Sequence, residues 1–267
     1  MDFSEEQIER YSRQIILPEI GGKGQKKLLN SKVLIIGAGG LGSPSSMYLA
    51  AAGVGKIGIA DSDVVDLSNL QRQILHKTEN INRKKVDSAL DTLKGINPDI
   101  EVVPLNIRID SKNIIDIIDE YDIVVDGSDN FPTKFLINDA CVMKKKPLSI
   151  AGILRFMGQI LTVVPGKSAC YRCVFEKPPE PGSIPSCREA GVIGAVGGLV
   201  GMIQATEVIK MLLGIGKLID GIMIVETIGM TLRKIKIHPN KSCPVCGENP
   251  TITALEDYEL VCERRED

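Results

Sequence analysis

Residues 32–42, KVLIIGAGGLG, constrain the fold of this chain more than any other stretch. The stretch begins as a short β-branched and apolar run that ends at a glycine, which is typical of a buried parallel strand. Gly37, Gly39 and Gly42 follow in the spacing G-x-G-x-x-G, and the small and apolar residues of 43–53 predict a close-packed helix. Glycine in these places allows a tight turn, a close approach of phosphate groups and close packing of helix on strand. The segment therefore predicts a strand, turn and helix that bind a nucleotide.

A carboxylate lies at the distance expected for ribose recognition. The second predicted strand, 56–60, ends at Asp61, about twenty residues beyond the glycines. There the carboxylate can accept hydrogen bonds from both ribose hydroxyls. The free N–H groups at the start of the predicted helix would bind an anion. Together these features indicate a nucleotide without identifying it.

Alternating helix and strand patterns continue to residue 151 and predict a doubly wound parallel sheet. Helices are predicted at 4–15 with Ser4 as N-cap, 24–29, 83–95, 112–121 and 131–146, and strands at 101–105, 122–126 and 147–151. The character then changes, with a predicted antiparallel strand at 159–164, a buried helix at 191–213 and strands at 223–226 and 232–237. We expect an α/β fold with a mostly parallel sheet that antiparallel strands continue.

One domain is expected over residues 1–267. We divide it into N-terminal helices (1–31), a nucleotide-binding half (32–151), a cysteine-bearing half (152–247) and a polar tail (248–267).

Composition narrows the class of partners. Apolar residues make up 43% of the chain, and the net charge of −2 provides no basic field for nucleic acid. Residues 190–206 carry no charge but are Gly-rich and shorter than the roughly 20 residues of a membrane span, so we expect a buried core helix. The first eleven residues are acidic and amphipathic, unlike a signal peptide. We expect a cytoplasmic protein with neither a nucleic acid nor a membrane partner.

Four of the seven cysteines form two C-x-x-C pairs, Cys170 with Cys173 and Cys243 with Cys246. Two such pairs can supply the four thiolates of a tetrahedral zinc site, which would be structural because no position stays open to substrate. The alternative is two unrelated redox or buried pairs.

Two of the remaining cysteines have a readable setting. Cys141 lies among apolar helical residues and is expected in the core. Cys187 follows a proline-rich loop, and Arg188 and the following helix start could make it a thiolate nucleophile. An idle loop thiol is an equal alternative for Cys187.

Charged side chains are expected to gather at one edge of the sheet, since parallel strands end there. In a triphosphate site Arg72 and Lys85 would neutralise phosphate oxygens, and Asp129 would hold Mg²⁺. The alternative is that each is a solvated surface charge; His76 and His238 are expected to be structural or exposed. The full set is Asp61, Asp63, Asn69, Arg72, Gln73, Lys85, Asp129 and Asn130.

Seven motifs together resemble one family, the ubiquitin-activating-like adenylyltransferases of the HesA/MoeB/ThiF type, over nearly all of residues 5–247. They are RYSRQIILPEIGGKGQKKL, GAGGLGSPSSMYLAAAGVGKI, DSDVVDLSNLQRQ, GSDNFPTK, CYRC, CREAGV and CPVCG.

The resemblance implies a Rossmann-like fold that binds Mg·ATP, a structural zinc on the four paired cysteines, and a homodimer in which Arg13 reaches the neighbouring subunit's site. Asp129 would serve the magnesium, and Cys187 matches a cysteine that some relatives link covalently to their partner. The implied ATP-binding residues are Gly37, Gly39, Gly40, Gly42, Asp61, Asp63, Ser68, Asn69, Leu70, Gln71, Arg72, Lys85, Asp129 and Asn130.

The reaction that the resemblance implies is adenylation of a small β-grasp, ubiquitin-like sulfur carrier at its C-terminal Gly-Gly. The carrier would bind to residues 152–247, pyrophosphate would leave, and a sulfurtransferase or cysteine desulfurase could supply sulfur for a thiocarboxylate. Molybdopterin and thiamine synthesis, tRNA thiolation and protein conjugation all use such carriers. Two alternatives stay open: a nicotinamide-dependent oxidoreductase and a non-catalytic carrier-binding subunit.

Overall fold

A computed structural model describes residues 3–180 and 190–258 and contains one mixed sheet of eight strands. The spatial order of the strands is β3-β2-β1-β4-β5-β6-β7-β8, in which β1 to β5 run parallel and β5 to β8 antiparallel. This topology confirms the predicted fold class. The strands are β1 (Lys32–Ile36), β2 (Lys56–Ala60), β3 (Glu101–Leu105), β4 (Ile123–Asp126), β5 (Leu148–Leu154), β6 (Met157–Val163), β7 (Ile222–Glu226) and β8 (Thr231–Ile235).

Helices cover both faces of the parallel part. They are α1 (Glu5–Ile15), α2 (Gly21–Leu29), α3 (Gly42–Ala51), α4 (Lys85–Ile96), α5 (Ile114–Asp119), α6 (Phe131–Met143), α7 (Tyr171–Val174) and α8 (Gly194–Leu213), with 3₁₀ turns at Leu67–Asn69 and Thr78–Asn80. Ser4 caps α1 as predicted, since its side chain accepts a hydrogen bond from the backbone of Gln7. Helix α6 ends three residues before the predicted residue 146, because Lys145 adopts a positive φ of 53°.

The central parallel strands β1, β2 and β4 are buried on both faces, which explains their nearly continuous apolar sequences. In β1, Leu34 and Ile36 pack in one hydrophobic cluster with residues of α5 and α6. Val33 and Ile35 point to the other face and pack with residues of α3, α4 and α8. The first strand is therefore the centre of the core as well as the support of the glycine loop.

Helix α8 is the one described helix long and apolar enough to cross a membrane by composition. In the fold it packs against β5, β6 and α3, with Val200 and Val208 fully buried. Its Glu207 is buried too, and its carboxylate accepts hydrogen bonds from the Thr162 hydroxyl (2.8 Å) and the Ile219 N–H (2.7 Å) and pairs with Lys210. The prediction of a buried core helix is confirmed.

The antiparallel part ends at an open edge. All five residues of β8 are exposed, including Leu232 at 63%. The tail that follows the last cysteine pair is attached as far as Tyr258. The N–H groups of Thr251 and Ile252 donate to the Pro244 carbonyl, and the Tyr258 hydroxyl accepts a hydrogen bond from Arg172. The paired cysteines and the tail thus pack together.

Candidate active site and metal centre

The glycine loop between β1 and α3 needs glycine at two positions for steric reasons. A Cβ on Gly42 would lie 1.8 Å from the Gly37 carbonyl oxygen, and one on Gly37, whose φ is +98°, would lie 2.8 Å from the Gly127 oxygen. By contrast, a Cβ on Gly39 or Gly40 would meet only side-chain atoms at 3.7 and 3.5 Å. Glycine at these two middle positions therefore leaves the backbone open to a ligand.

Three glycines of α8 allow this helix to approach the glycine loop and the turn after β2 that carries Arg72. A Cβ on Gly194 would lie 2.2 Å from the Gln71 carbonyl oxygen, one on Gly197 2.9 Å from the Gly40 oxygen, and one on Gly201 2.7 Å from the Leu41 oxygen. The sequence analysis treated α8 as a core helix and missed this contact. Its signal was the spacing i, i+3 and i+7, which places the glycines on one helical face.

Asp61 braces the glycine loop from the end of β2. Its Oδ2 accepts a hydrogen bond from the Ala38 N–H at 2.8 Å, and its Oδ1 accepts one from the Asp63 N–H at 2.8 Å. Each carboxylate oxygen can accept a further bond, so the side chain still has capacity for ribose hydroxyls. Its role as ribose ligand stays a prediction.

Lys85 opens α4, as predicted, and lies next to two carboxylates. Its Nζ is 2.8 Å from an oxygen of Asp63 and 3.8 Å from one of Asp61, and its side chain is 7% exposed against 64% for Asp63. The ammonium is therefore held beside the residue that braces the glycine loop.

Arg72 borders the loop on another side. Its side-chain carbons would contact a Cβ placed on Gly40 at 3.5 Å, and its Nη1 donates to the Ser68 carbonyl at 2.9 Å. The turn before it is stabilised by Asp66, whose Oδ1 accepts from the N–H (2.8 Å) and hydroxyl (2.6 Å) of Ser68. The side-chain oxygen of Asn69 accepts a hydrogen bond from the Asp66 N–H at 3.2 Å.

Asp129 follows the backbone that touches the glycine loop. A Cβ on Gly127 would lie 2.9 Å from the Gly37 oxygen, so the loop after β4 packs directly against the first one. Asn130 caps α6 by accepting from the Thr133 N–H at 2.9 Å. The exposed Asp129 carboxylate has, among the described residues, only a 3.4 Å contact with the Asn130 amide and so is available to a cation.

The sequence analysis assigned His76 no function, and the structure places it under the glycine loop. Its Nε2 donates to the Ala38 carbonyl at 2.9 Å, and its Nδ1 lies 2.9 Å from the Ser88 hydroxyl. Burial lowers the pKa of His76 below its ordinary value, and the charge of Lys85 acts in the same direction. The ring is a structural support, as one of the two expectations held.

One buried ion pair near the site was missed. Asp126 at the end of β4 and Lys134 on α6 lie 2.8 Å apart, with side-chain exposures of 0% and 7%. The signal was a lysine directly before the apolar residues 135–137.

The four paired cysteines converge, as their spacing predicts. Their Sγ atoms all lie within 4.8 Å of one another, with separations of 3.9 Å (Cys170–Cys173), 3.6 Å (Cys170–Cys243) and 3.4 Å (Cys173–Cys246). Zn–S bonds of about 2.3 Å in a tetrahedron require sulfur atoms about 3.8 Å apart. The donor set and its size therefore fit zinc, held by four protein ligands and closed to substrate.

The pKa values of the cluster thiols are spread apart. Hydrogen bonding from Cys170 lowers the pKa of the Cys246 thiol, while burial raises that of Cys173. A divalent cation would stabilise all four thiolates together.

The first cysteine pair is hydrogen-bonded to α6 through the residues between the two cysteines. Arg172, between its two cysteines, donates from Nε and Nη2 to Asp139 at 2.8 Å each, and the Tyr171 N–H donates to the Asn138 oxygen at 2.8 Å. Helix α6 therefore contacts both the loop that carries Asp129, at its N-terminus, and the cysteine cluster, through Asn138 and Asp139.

Three further predicted residues are placed less fully. Cys141 is fully buried in the core, as expected. Arg13 is exposed in the last turn of α1. Cys187 lies outside the described residues.

Comparison with known proteins gives a consistent assignment. The model of the ThiF family matches residues 11–245. The chain is 44% identical to the sulfur carrier protein adenylyltransferase of Thermus thermophilus, covering 99% of this chain and 100% of that protein. It is 45% identical to the SAMP-activating enzyme E1 of Haloferax volcanii, covering 96% and 94%. It is also 45% identical to the adenylyltransferase and sulfurtransferase MOCS3 of Aedes aegypti, but it spans only 60% of that longer protein.

Solved structures agree with these sequences. A structure of E. coli MccB with ATP superposes with a TM-score of 0.77 at 26% identity, covering 89% of this chain and 74% of the other. A second structure of E. coli MccB, with AMPCPP and MccA, gives 0.78 at 25% identity, covering 92% and 75%. From sequence, site geometry and structural similarity together, this chain belongs to the ThiF family of adenylyltransferases.

Proposed function

We propose that this protein uses ATP to adenylate the C-terminal carboxylate of a small sulfur-carrier protein and releases pyrophosphate. The observation that carries the proposal is that three charged side chains lie on or next to residues that contact the glycine loop. Arg72 lies against Gly40, Lys85 lies beside the Asp61 carboxylate that holds this loop, and Asp129 follows Gly127, whose backbone touches it. Two relatives that match the chain over nearly its whole length are named sulfur carrier protein adenylyltransferase and SAMP-activating enzyme E1. Family membership gives no support to a nicotinamide-dependent oxidoreductase.

In this proposal the nucleotide binds across the glycine loop. Backbone N–H groups of Gly39 and Gly40 and the start of α3 would hold phosphate oxygens, and Asp61 would accept from the ribose. In the turn after β2, the residues that contact the nucleotide would be Asp63, Ser68, Asn69, Leu70, Gln71 and Arg72.

Charge neutralisation would come from two cations of the chain. Arg72 lies over Gly40, and the Lys85 ammonium would exchange the exposed carboxylate of Asp63 for a phosphate oxygen. Asp129, with Asn130 beside it, would hold the Mg²⁺ that accompanies ATP, and that ion supplies further neutralisation of the phosphates when bound.

The carrier itself supplies the nucleophile. A C-terminal carboxylate is already ionised at neutral pH, so no general base is required. It would attack the α-phosphorus in line, forming the acyl–phosphate bond while the bond to pyrophosphate breaks. Positioning and electrostatic stabilisation are sufficient for such a transfer.

Further parts of the assembly follow as proposals. The carrier would dock on the antiparallel part, where Ile228, Met230 and Leu232 are 76%, 75% and 63% exposed. Arg13 would enter the site of a second copy in a homodimer. A sulfurtransferase or cysteine desulfurase would use the adenylate in the cytoplasm, with Cys187 as a candidate covalent link.

Carrier-dependent exchange of labelled pyrophosphate into ATP tests the proposal. We expect exchange with a carrier ending in Gly-Gly and none with the same carrier lacking these two residues. Failure of every Gly-Gly carrier of the source organism to support exchange would contradict the proposal.

A non-catalytic carrier-binding subunit is the second candidate, favoured by the exposed apolar edge at β8. Carrier binding that survives Asp129→Ala, with pathway output unchanged in cells, would support it instead.

A further inference from the structure

A lysine lies buried beneath the loop that carries Asp129. The Nζ of Lys134 donates to Asp126 Oδ2 at 2.8 Å, to the Ser128 carbonyl at 2.8 Å and to the Ala151 carbonyl at 2.5 Å. An ammonium has three hydrogens, so these bonds use all of its donor capacity. Lys134 is therefore set to hold the protein backbone rather than a ligand.

Its partner Asp126 is equally committed. Asp126 is 0% exposed, and its Oδ1 accepts from the N–H of Ser128 at 2.9 Å and from its hydroxyl at 2.5 Å. Gln204 of α8 also donates to the Asp126 carbonyl, at 3.0 Å. Removing the ammonium would leave a buried carboxylate without its counter-charge, which is far costlier than losing a surface pair.

These contacts fix the residues on either side of Asp129. Ser128 is bound on its N–H, its hydroxyl and its carbonyl, and Asn130 is bound as the cap of α6. Asp129 itself is exposed and makes no close hydrogen bond among the described residues. Its position is therefore determined by its neighbours.

We propose that Lys134 is a positioning residue that orients the Asp129 carboxylate toward the cation of Mg·ATP. The inference rests on the proposed function. Lys134 joins the loop after β4 to Ala151 on β5 by a hydrogen bond. One side chain therefore fixes the position of this loop relative to β5 and its distance from the glycine loop, which Gly127 touches.

Metal binding gives a test that does not depend on turnover. Mn²⁺ is titrated into the protein with saturating ATP and no carrier, and bound ion is measured by electron paramagnetic resonance. We expect Lys134→Met to weaken Mn²⁺ binding about tenfold, as loss of an outer-shell partner typically does. Lys134→Arg keeps the charge and should recover part of this loss.

Lys146→Met is the matched control. The Lys146 ammonium also donates to backbone carbonyls, those of Tyr121 (2.7 Å) and Asp119 (3.2 Å), but at the opposite end of α6. We expect it to lower the melting temperature without changing Mn²⁺ affinity. A purely structural role of Lys134 would make both variants behave alike.

Two outcomes would overturn the proposal. One is folded Lys134→Met that binds Mn²⁺ as tightly as the wild type. If Lys134→Met does not fold, the Ser128→Ala variant is measured instead, because it removes only the hydroxyl contact with Asp126. We expect it to weaken Mn²⁺ binding several-fold. Unchanged Mn²⁺ affinity of this variant is the second outcome that would contradict the role of Lys134. Failure of the proposed function is distinguishable, since the wild type would then bind Mn·ATP but support no pyrophosphate exchange.

Discussion

The parallel and antiparallel parts of the sheet hold their functional groups by different means. In the parallel part, backbone contacts between two loops and buried charge pairs such as Asp126 with Lys134 position the side chains. In the antiparallel part, four thiols gather at one point, and the strands end at an exposed edge, β8. The first part is therefore held by contacts within the chain, whereas the second brings together four thiols that fit a zinc ion.

Loss of a zinc ligand should produce the largest effect. Cys243→Ser is expected to remove the metal and to destabilise the protein by more than about 4 kcal/mol, because metal binding contributes directly to folding. Zinc content and thermal unfolding measure this. Cys141→Ala, which alters a buried thiol outside the cluster, should keep its zinc; equal zinc loss in both variants would contradict the assignment.

Loss of a side chain that neutralises phosphate charge should have the second largest effect. This effect should appear in the reaction rate and not in the stability of the fold. Arg72→Ala is expected to lower the rate of pyrophosphate exchange about 100-fold, the usual cost of removing one electrostatic donor. The melting temperature should barely change. Arg83→Ala, which breaks an exposed pair with Asp91, is the control and should keep nearly full activity. Similar rates in the two variants would remove Arg72 from the site.

A glycine substitution tests whether the two parts depend on each other. Gly201→Ala is expected to destabilise the fold by about 1–3 kcal/mol, because its Cβ would lie 2.5 Å from Pro44 Cγ and 2.7 Å from the Leu41 oxygen. Gly198→Ala lies on the same helix with open space around it and should be neutral or stabilising. Equal melting temperatures would mean that α8 moves away from the loop without cost.

Protonation of His76 should have the smallest effect. Because burial lowers its pKa in the folded state, the unfolded chain binds the proton more readily once the pH falls below the ordinary value of about 6.5. The stabilisation is thus present above that pH and is lost on acidification. His76→Gln should flatten the decline in melting temperature between pH 7 and pH 5.

Local patterns were sufficient to predict most of the fold. The G-x-G-x-x-G spacing after an apolar run predicts β1 and α3, since Gly37 and Gly42 each have a nearby steric cause. Two C-x-x-C pairs predict the cysteine cluster, because their spacing matches a known metal geometry. The mixed sheet followed from the change of pattern near residue 151.

Contacts between distant segments could not be predicted in this way. Lys134 reads as an ordinary helical lysine until β5 brings Ala151 to its ammonium. Gly194, Gly197 and Gly201 suggest flexibility or a core helix until the loops they touch are known. The end of α6 depended on the left-handed backbone of Lys145, a conformation that lysine seldom adopts.

The bond between Arg172 and Asp139 has a consequence for divergence within such a fold. Arg172 lies between two cysteines of the cluster, and Asp139, 3% exposed, lies in the interior of α6. If a related protein lost its cysteines and the segment with Arg172 moved away, the Asp139 carboxylate would remain buried without its counter-charge. Loss of the metal should therefore be accompanied by replacement of Asp139 with an uncharged residue, and the two changes should be inherited together.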